Sequence, residues 1–261
     1  MTELARHPGP GRTRRTGEPR RDPWRRALAE GLGTGLLVTV VIGSGIAAAH
    51  LSPGDVGLQL LENSFATALG LTVLILIFGP VSGAHFNPVV SLADWWLGRR
   101  TGSGLTAQDV AVYIPAQVVG GATGAILANL MYGEAPVTWS TTHRSAGHLY
   151  IGEIVATAGL VLLIFTLATT GRAHLAPPAV GAYIGAAYWF TSSTSFANPA
   201  VTVGRAFSDT FAGIAPSSVP GFIAFQLLGA IVGVALVKVL YPGAGIAADR
   251  AVIETTAGES S

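Results

Sequence analysis

The chain has 261 residues, 50% of them apolar and only 11% charged, with 34 glycines, no cysteine and a net charge of +1. Soluble domains carry about 25% charge, so this composition belongs to a chain that crosses a membrane several times and excludes an ordinary soluble enzyme. Without cysteine there is no disulfide, thiolate ligand or thiol nucleophile on which to build a function.

Eight of the fifteen basic residues fall in the first 26 positions, at Arg6, Arg12, Arg14, Arg15, Arg20, Arg21, Arg25 and Arg26. Residues 1–26 read as a disordered basic tail. A nucleic-acid arm is the competing reading, but a cationic tail directly before an apolar run serves as a topology determinant, and no nucleic-acid partner is expected. Arg14 and Arg15 suggest a twin-arginine signal, yet charges from Arg20 to Arg26 interrupt the place where its apolar core should begin, so no removable signal is expected.

A helix needs about 20 apolar residues to span a bilayer. Six windows qualify, over 27–49, 57–79, 108–131, 148–170, 177–194 and 217–240. They define a channel-like domain over 27–241, followed by a flexible tail over 242–261. The connections are short, apart from the polar stretch 133–147. Two others are too apolar to be ordinary loops: "GPVSGAHFNPVVSLADWWLG" (79–98) and "SSTSFANPAVTVGRAFSDTFAGIAP" (192–216). Each holds Asn-Pro followed by about ten residues of helical character, too few to span, which suits a segment that enters the membrane halfway and returns.

With an even number of spans both termini lie on one side. A cytoplasmic N-terminus puts thirteen of the fifteen basic residues inside, leaving Arg144 and Arg205 outside; the positive-inside rule therefore selects that orientation, in the cell membrane.

The halves 27–131 and 148–241 repeat one another. Glu30 and Thr34 answer Glu153 and Thr157; Asn87-Pro88-Val89 answers Asn198-Pro199-Ala200; Gln117, Gly120 and Gly124 match Gln226, Gly229 and Gly233. Three spans per half means that the second half runs in the opposite direction. The predicted fold is an all-α membrane protein with six transmembrane helices and two re-entrant half-helices in an inverted 3+3 repeat, a layout that places sites at the midplane.

Proline at a first helical position loses no hydrogen bond, and asparagine before it caps the helix start. Each Asn-Pro should begin a half-helix, with both N-termini meeting centrally. The midplane then carries two positive dipole ends and two amide donors, an arrangement that passes neutral hydrogen-bonding solutes and rejects protons and cations.

A carboxylate within a span is costly and usually functional. Glu30 and Glu153 are either acceptors for backbone N–H groups of the re-entrant loops or the proton-coupling groups of an ion-coupled secondary transporter. Their positions, each at the end where its own loop enters, favour the first. Glycine pairs at four-residue spacing allow close helix packing. His50, His143, His148 and His174 lack metal-ligand spacing, and neither a metal nor a cofactor is expected. Asp94 and Arg205, each seven residues after its asparagine, read as symmetric charges near opposite mouths, Asp94 as an interfacial helix-end charge.

"SGAHFNPVVS" with "FANPAVTVGR" resembles the signature pair of the major intrinsic proteins, the aquaporins and aquaglyceroporins, and the resemblance covers about residues 27–241. It implies one pore per subunit and a homotetramer, and it places His85 in the cytoplasmic vestibule; a hydrogen-bonded structural histidine is the alternative there. Most members of that family have arginine three residues after the second asparagine, and here that position is Val201. Ser195 stands three residues before Asn198, and matching the segments before each loop gives Leu69 and Tyr188 as the other constriction positions, within about one turn. Thr202 replaces the usual glycerol-channel aspartate. The valine resembles a bacterial subgroup associated with arsenic resistance. Arg205, one turn beyond Val201, either orients solutes in the outer vestibule or reaches the headgroups. The expected partners are small neutral solutes, water and the lipid bilayer.

Overall fold

Asp22 opens the first helix: its carboxylate accepts the Trp24 amide at 3.4 Å, and Pro23 takes the first helical position. The computed structural model describes residues 22–242. Most of the two predicted tails, 1–26 and 242–261, lies outside the described residues. The four residues Pro23 to Arg26 are helical rather than part of a disordered tail, because Arg26 is tied down through Nε to Tyr113 Oη and through Nη1 to Asp109, both at 2.8 Å.

Eight α-helices follow one another in the described chain: α1 (Pro23–Leu51), α2 (Val56–Ser82), α3 (Pro88–Gly98), α4 (Ala107–Met131), α5 (Gly147–Thr169), α6 (Ala176–Phe190), α7 (Pro199–Arg205) and α8 (Val219–Leu240). Caps mark several of the starts. Asp55 accepts the Leu58 amide at 2.9 Å, and Thr106 and Asp109 form a reciprocal capping box at α4. Asn87 and Asn198 cap α3 and α7, each with proline at the first position.

Among the described residues, five helices are long and apolar enough to cross a membrane. The fifth predicted window, 177–194, departs from expectation: α6 has 15 residues, preceded by a 3-10 turn at Ala173–Leu175. Its backbone becomes extended at Thr191, where the second re-entrant loop must begin. At 1.5 Å per residue α6 is about 22 Å long, so the adjoining turn completes the crossing.

The packing carries the inverted repeat into three dimensions. Helix α1 packs on α4 and α2 as α5 packs on α8 and α6, and α2 against α6 joins the halves. The half-helices cross over: α7 of the second half lies against α4 of the first, and α3 against α8.

Two of the glycine pairs set the α1–α4 distance. A Cβ on Gly120 would stand 2.1 Å from the Gly31 carbonyl oxygen, and one on Gly124 2.0 Å from that of Gly35. At the matching α5–α8 contact, the clearance from Gly229 to the Ile154 carbonyl oxygen is 2.7 Å. Forcing α1 and α4 apart costs about 1–3 kcal/mol as overpacking. Gly124→Ala is therefore expected to lower the thermal unfolding temperature in detergent, and Gly229→Ala to lower it less. Gly147, with nothing within 4 Å, supplies the silent control; equal melting of Gly124→Ala and Gly147→Ala would show that the contact does not limit packing.

The stretch 133–147 is more than a connector. Its backbone pairs with the segment after α7: Thr138 donates to the Phe207 carbonyl at 3.1 Å, Ser140 to Ala206 at 3.1 Å, and Ala215 to Thr142 at 2.7 Å. Asn129 Nδ2 also donates to the Phe207 carbonyl at 3.0 Å. These bonds hold the chain over one mouth of the molecule.

Candidate functional site

The two re-entrant loops meet at the centre through a reciprocal exchange. Asn87 donates from Nδ2 to the Ala197 carbonyl at 2.8 Å, and Asn198 donates from Nδ2 to the Phe86 carbonyl at 2.8 Å. Each Oδ1 turns back to cap its own half-helix, accepting from Val89 at 3.1 Å and from Ala200 at 3.0 Å. An amide nitrogen has two hydrogens, so each asparagine keeps one donor beyond the crossing bond. Pro88, Val89, Pro199 and Ala200, predicted with the asparagines at the pore midplane, are buried in the first turns of the half-helices and do not line the cavity. Val89 lies in an apolar cluster with Val161 and Val234 of α5 and α8. The first turns of the half-helices face their crossed-over neighbours, which leaves the asparagines and loop residues on the cavity.

Both loops hold non-glycine residues at positive φ: Ala84 at 51° and Phe86 at 50° in the first, Thr194 at 61°, Ser195 at 48° and Ala197 at 47° in the second. Such residues cost on the order of 1–3 kcal/mol each and persist only when their surroundings fix them. Glu30 and Glu153 do the fixing. Glu30 accepts from His85 N at 3.0 Å, Phe86 N at 2.7 Å, Ser82 Oγ at 2.6 Å and Gln117 Nε2 at 2.7 Å. Glu153 accepts from Phe196 N at 3.0 Å, Ala197 N at 2.9 Å and Gln226 Nε2 at 2.6 Å. Gln117 also reaches Ser91, and Gln226 reaches Thr202. Both carboxylates are completely buried, and both oxygens of each accept hydrogen bonds from the loops or from the paired glutamine.

A cavity of about 90 Å³ runs beside the asparagines, room for several waters at the ~10–15 Å³ of such volume that one requires. Its apolar walls repeat the symmetry: Leu37 and Val41 of α1 correspond to Leu160 and Ile164 of α5, with Leu71 and Ile75 of α2 facing Val180 and Ile184 of α6. His85, Asn87, Tyr188, Ser195, Phe196, Asn198, Val201 and Arg205 all line it. The His85 Nδ1 lies 3.1 Å from Ser91 Oγ, so the residue is both on the cavity and held by a hydrogen bond.

Leu69 requires correction. It is 53% exposed and points away from the cavity, and the α2 residue at that level is Thr67, whose hydroxyl pairs with Tyr188 Oη at 3.2 Å. A sequence signal for this exists. Gln59, Asn63, Thr67 and Leu71 form one buried stripe at four-residue spacing, and polar residues on an otherwise lipid-facing helix mark its interior side. Counting back from the asparagine missed it, because the helix face, not the residue count, decides which side chain reaches the pore.

Asp94 and Arg205 are also displaced from expectation. Asp94 is buried rather than interfacial and accepts from Leu105 N at 2.7 Å, anchoring the loop after α3. Arg205 is only 2% exposed and does not reach for headgroups. Its Nε donates to the Ala212 carbonyl, and its guanidinium carbon stands 3.4 Å from the Phe196 ring centroid. The two residues thus do matching work, each tying down the loop that follows its half-helix. Helix α7 itself is seven residues long, shorter than predicted, because the chain turns back at once: Ile214 N donates to the Arg205 carbonyl at 3.3 Å.

Arg144, from the 133–147 stretch, stands 5.2 Å from the same Phe196 ring and donates from Nε to the Gly213 carbonyl at 3.0 Å. Burial lowers its pKa from the ordinary arginine value, opposed by the Glu153 carboxylate; arginine remains a cation in proteins. This mouth therefore holds two arginines around one phenylalanine.

A family model described as major intrinsic protein matches residues 19–195, stopping just before the second Asn-Pro. The chain is 46% identical over 240 residues to the aquaglyceroporin AqpS of Rhizobium meliloti (strain 1021), covering 92% of this chain and 98% of the relative. It is 30% identical to the glycerol uptake facilitator protein of Pseudomonas aeruginosa, covering 75% of this chain and 78% of that one. The X-ray structure of the aquaglyceroporin from Plasmodium falciparum superposes with a TM-score of 0.66 at 20% identity, covering 87% of this chain and all of that one; at that identity the likeness speaks for the fold.

Proposed function

Because the chain belongs to the major intrinsic protein family, whose members are passive channels and not enzymes, we propose as its solutes small uncharged hydroxylated molecules: water, glycerol-like polyols and neutral metalloid acids such as arsenous acid. The observation that carries this reading is the pair of crossed asparagines in an otherwise apolar cavity. A solute there exchanges its water shell for a few fixed donors, which a neutral hydroxylated molecule tolerates and a hydrated cation does not. The hydroxyls of Thr67, Tyr188 and Ser195 add polar contacts beside Val201. Relatives named as an aquaglyceroporin and a glycerol uptake facilitator support the polyol class. The ion-coupled alternative lacks a group to carry it, since Glu30 and Glu153 spend their oxygens on the loops.

We read the working geometry as one pore per subunit of a homotetramer in the cell membrane, termini in the cytoplasm. The family supports the assembly, and the distribution of basic residues supports the orientation. The test is light scattering on proteoliposomes under gradients of water, glycerol, urea and arsenite. Permeability above that of empty liposomes is expected for water and glycerol at least; no increase for any of the four would overturn the reading.

A further inference from the structure

The C-terminal ends of α3 and α8 bring two cations onto one indole ring. The Arg99 guanidinium carbon stands 3.4 Å from the Trp96 ring centroid, and Lys238 Nζ, arriving from α8, stands 5.7 Å from the same centroid. Arg99 is also 5.9 Å from the centroid of Trp95, whose ring meets that of Trp96 edge-on at 72°. Trp95 packs against the buried cluster of Leu105, Val110 and Tyr113, whereas Trp96, Arg99, Arg100 and Lys238 are exposed. No ion pair or side-chain hydrogen bond among the described residues involves any of the three cations. Basic residues at a helix C-terminus often bond its last carbonyls; Arg99 lies on the indole instead. Cation–π attraction holds a guanidinium there, and covering its face leaves its N–H edge for an acceptor in the plane of the group. Two like charges on one ring repel, and an anion shared between them removes that repulsion. Beside Lys238, α8 presents the exposed apolar side chains of Leu236, Val239 and Leu240.

We propose that Trp96, Arg99 and Lys238, joined by Arg100, form a binding site for the phosphodiester headgroup of an anionic phospholipid. The phosphate oxygens accept from the Arg99 fork and from Lys238 Nζ, and the acyl chains run along Leu236, Val239 and Leu240. A lipid fits better than a free phosphate because the cations border this apolar surface, and interfacial tryptophan marks the level of the headgroups. Phosphatidylcholine has the same phosphate but carries a quaternary ammonium toward an already cationic site, so the zwitterionic lipid is disfavoured. The orientation proposed above puts the site in the cytoplasmic leaflet, whose anionic lipids attract basic clusters. The site lies outside the pore, at the contact where α3 of the first half meets α8 of the second. A headgroup that bonds residues of both helices stabilises that crossed-over packing.

The test is thermal unfolding of the full chain in detergent micelles titrated with dioleoylphosphatidylglycerol, dioleoylphosphatidylcholine or inorganic phosphate. A ligand that binds only the folded state raises the unfolding temperature with its concentration, so phosphatidylglycerol should raise it and the other two should not. Arg99→Gln and Lys238→Gln should each weaken the apparent phosphatidylglycerol affinity about fivefold, and together about twentyfold. Arg99→Lys, which keeps the charge and loses the fork, should weaken it by a smaller factor. Arg172→Gln removes an equally exposed charge that stacks on neither tryptophan and should leave the affinity unchanged. Each variant is read against its own melt in phosphatidylcholine, so lost stability cannot pass for lost binding. Equal shifts with phosphatidylglycerol and phosphatidylcholine would overturn the proposal. Equal weakening by Arg99→Gln and Arg172→Gln would reduce the site to diffuse surface charge and overturn it too. A shift with inorganic phosphate as large as that with phosphatidylglycerol would assign the site to a free anion instead. A phosphatidylglycerol shift that appears only when residues 243–261 are removed would give the patch to that segment, which carries Asp249, Glu254 and Glu259, and not to lipid.

Discussion

Glu153→Ala is expected to cost at least about 3 kcal/mol of stability and to abolish flux. The substitution strips acceptors from the backbone N–H groups of Phe196 and Ala197 and from the Gln226 amide, all buried. Each orphaned donor costs about 1–3 kcal/mol, and entry of a water into the space left behind brings the sum toward the lower end. The same step releases the constraint on Thr194, Ser195 and Ala197, whose left-handed backbone has no other support of comparable strength. Thermal unfolding in detergent and stopped-flow light scattering should fall together. Glu30→Ala, with His85 and Phe86 as its orphaned amides, should behave the same way. Gln at either position retains one acceptor oxygen but turns an amide toward donors, so it should recover only part of the loss. A Glu153→Ala channel that melts within a degree or two of wild type and still conducts would mean that the loops hold themselves.

The second large effect is on selectivity. Val201 is 5% exposed and faces the cavity one turn before Arg205. Val201→Arg would bring a second guanidinium into a space of about 90 Å³, against a cation already in place. Overpacking of about 1–3 kcal/mol, applied to the barrier for a solute that fills the pore, slows its passage about five- to hundredfold. Glycerol and arsenite permeability should fall by such factors and water far less. Equal losses for all solutes would place the narrowest point elsewhere.

The inverted repeat and the loop contacts of the glutamates were legible in the sequence for a common reason: backbone groups shielded from water must find partners within the protein, so a carboxylate next to a re-entrant loop has ready donors. The half-helix starts were legible because Asn-Pro is a local capping signal. Residues whose role depends on direction were less so. Leu69 and Thr67 differ by two positions and point to opposite sides of α2. Arg205 carries a side chain long enough to reach either the surface or the pore, and only the Phe196 ring and the Ala212 carbonyl decide between them. The same holds for Asp94, whose partner Leu105 lies beyond a turn that composition cannot fold. Pro88, Val89, Pro199 and Ala200 stand off the cavity because a motif marks where a helix begins and not which of its faces meets the pore.

The reciprocal bonds between Asn87 and Ala197, and between Asn198 and Phe86, impose an order on biosynthesis. When the first half leaves the ribosome, its re-entrant loop has no carbonyl to receive the Asn87 amide, and α3 has no α8 to lie against. Until nearly the whole chain has been translated, the loop is held only by contacts of its own half: the Glu30 carboxylate, the bond from Gln117 to Ser91 and the packing of α3 on α4. Pore closure is consequently a late, post-insertion event, and two separately expressed halves divided within 133–147 carry between them every contact needed to complete it in trans.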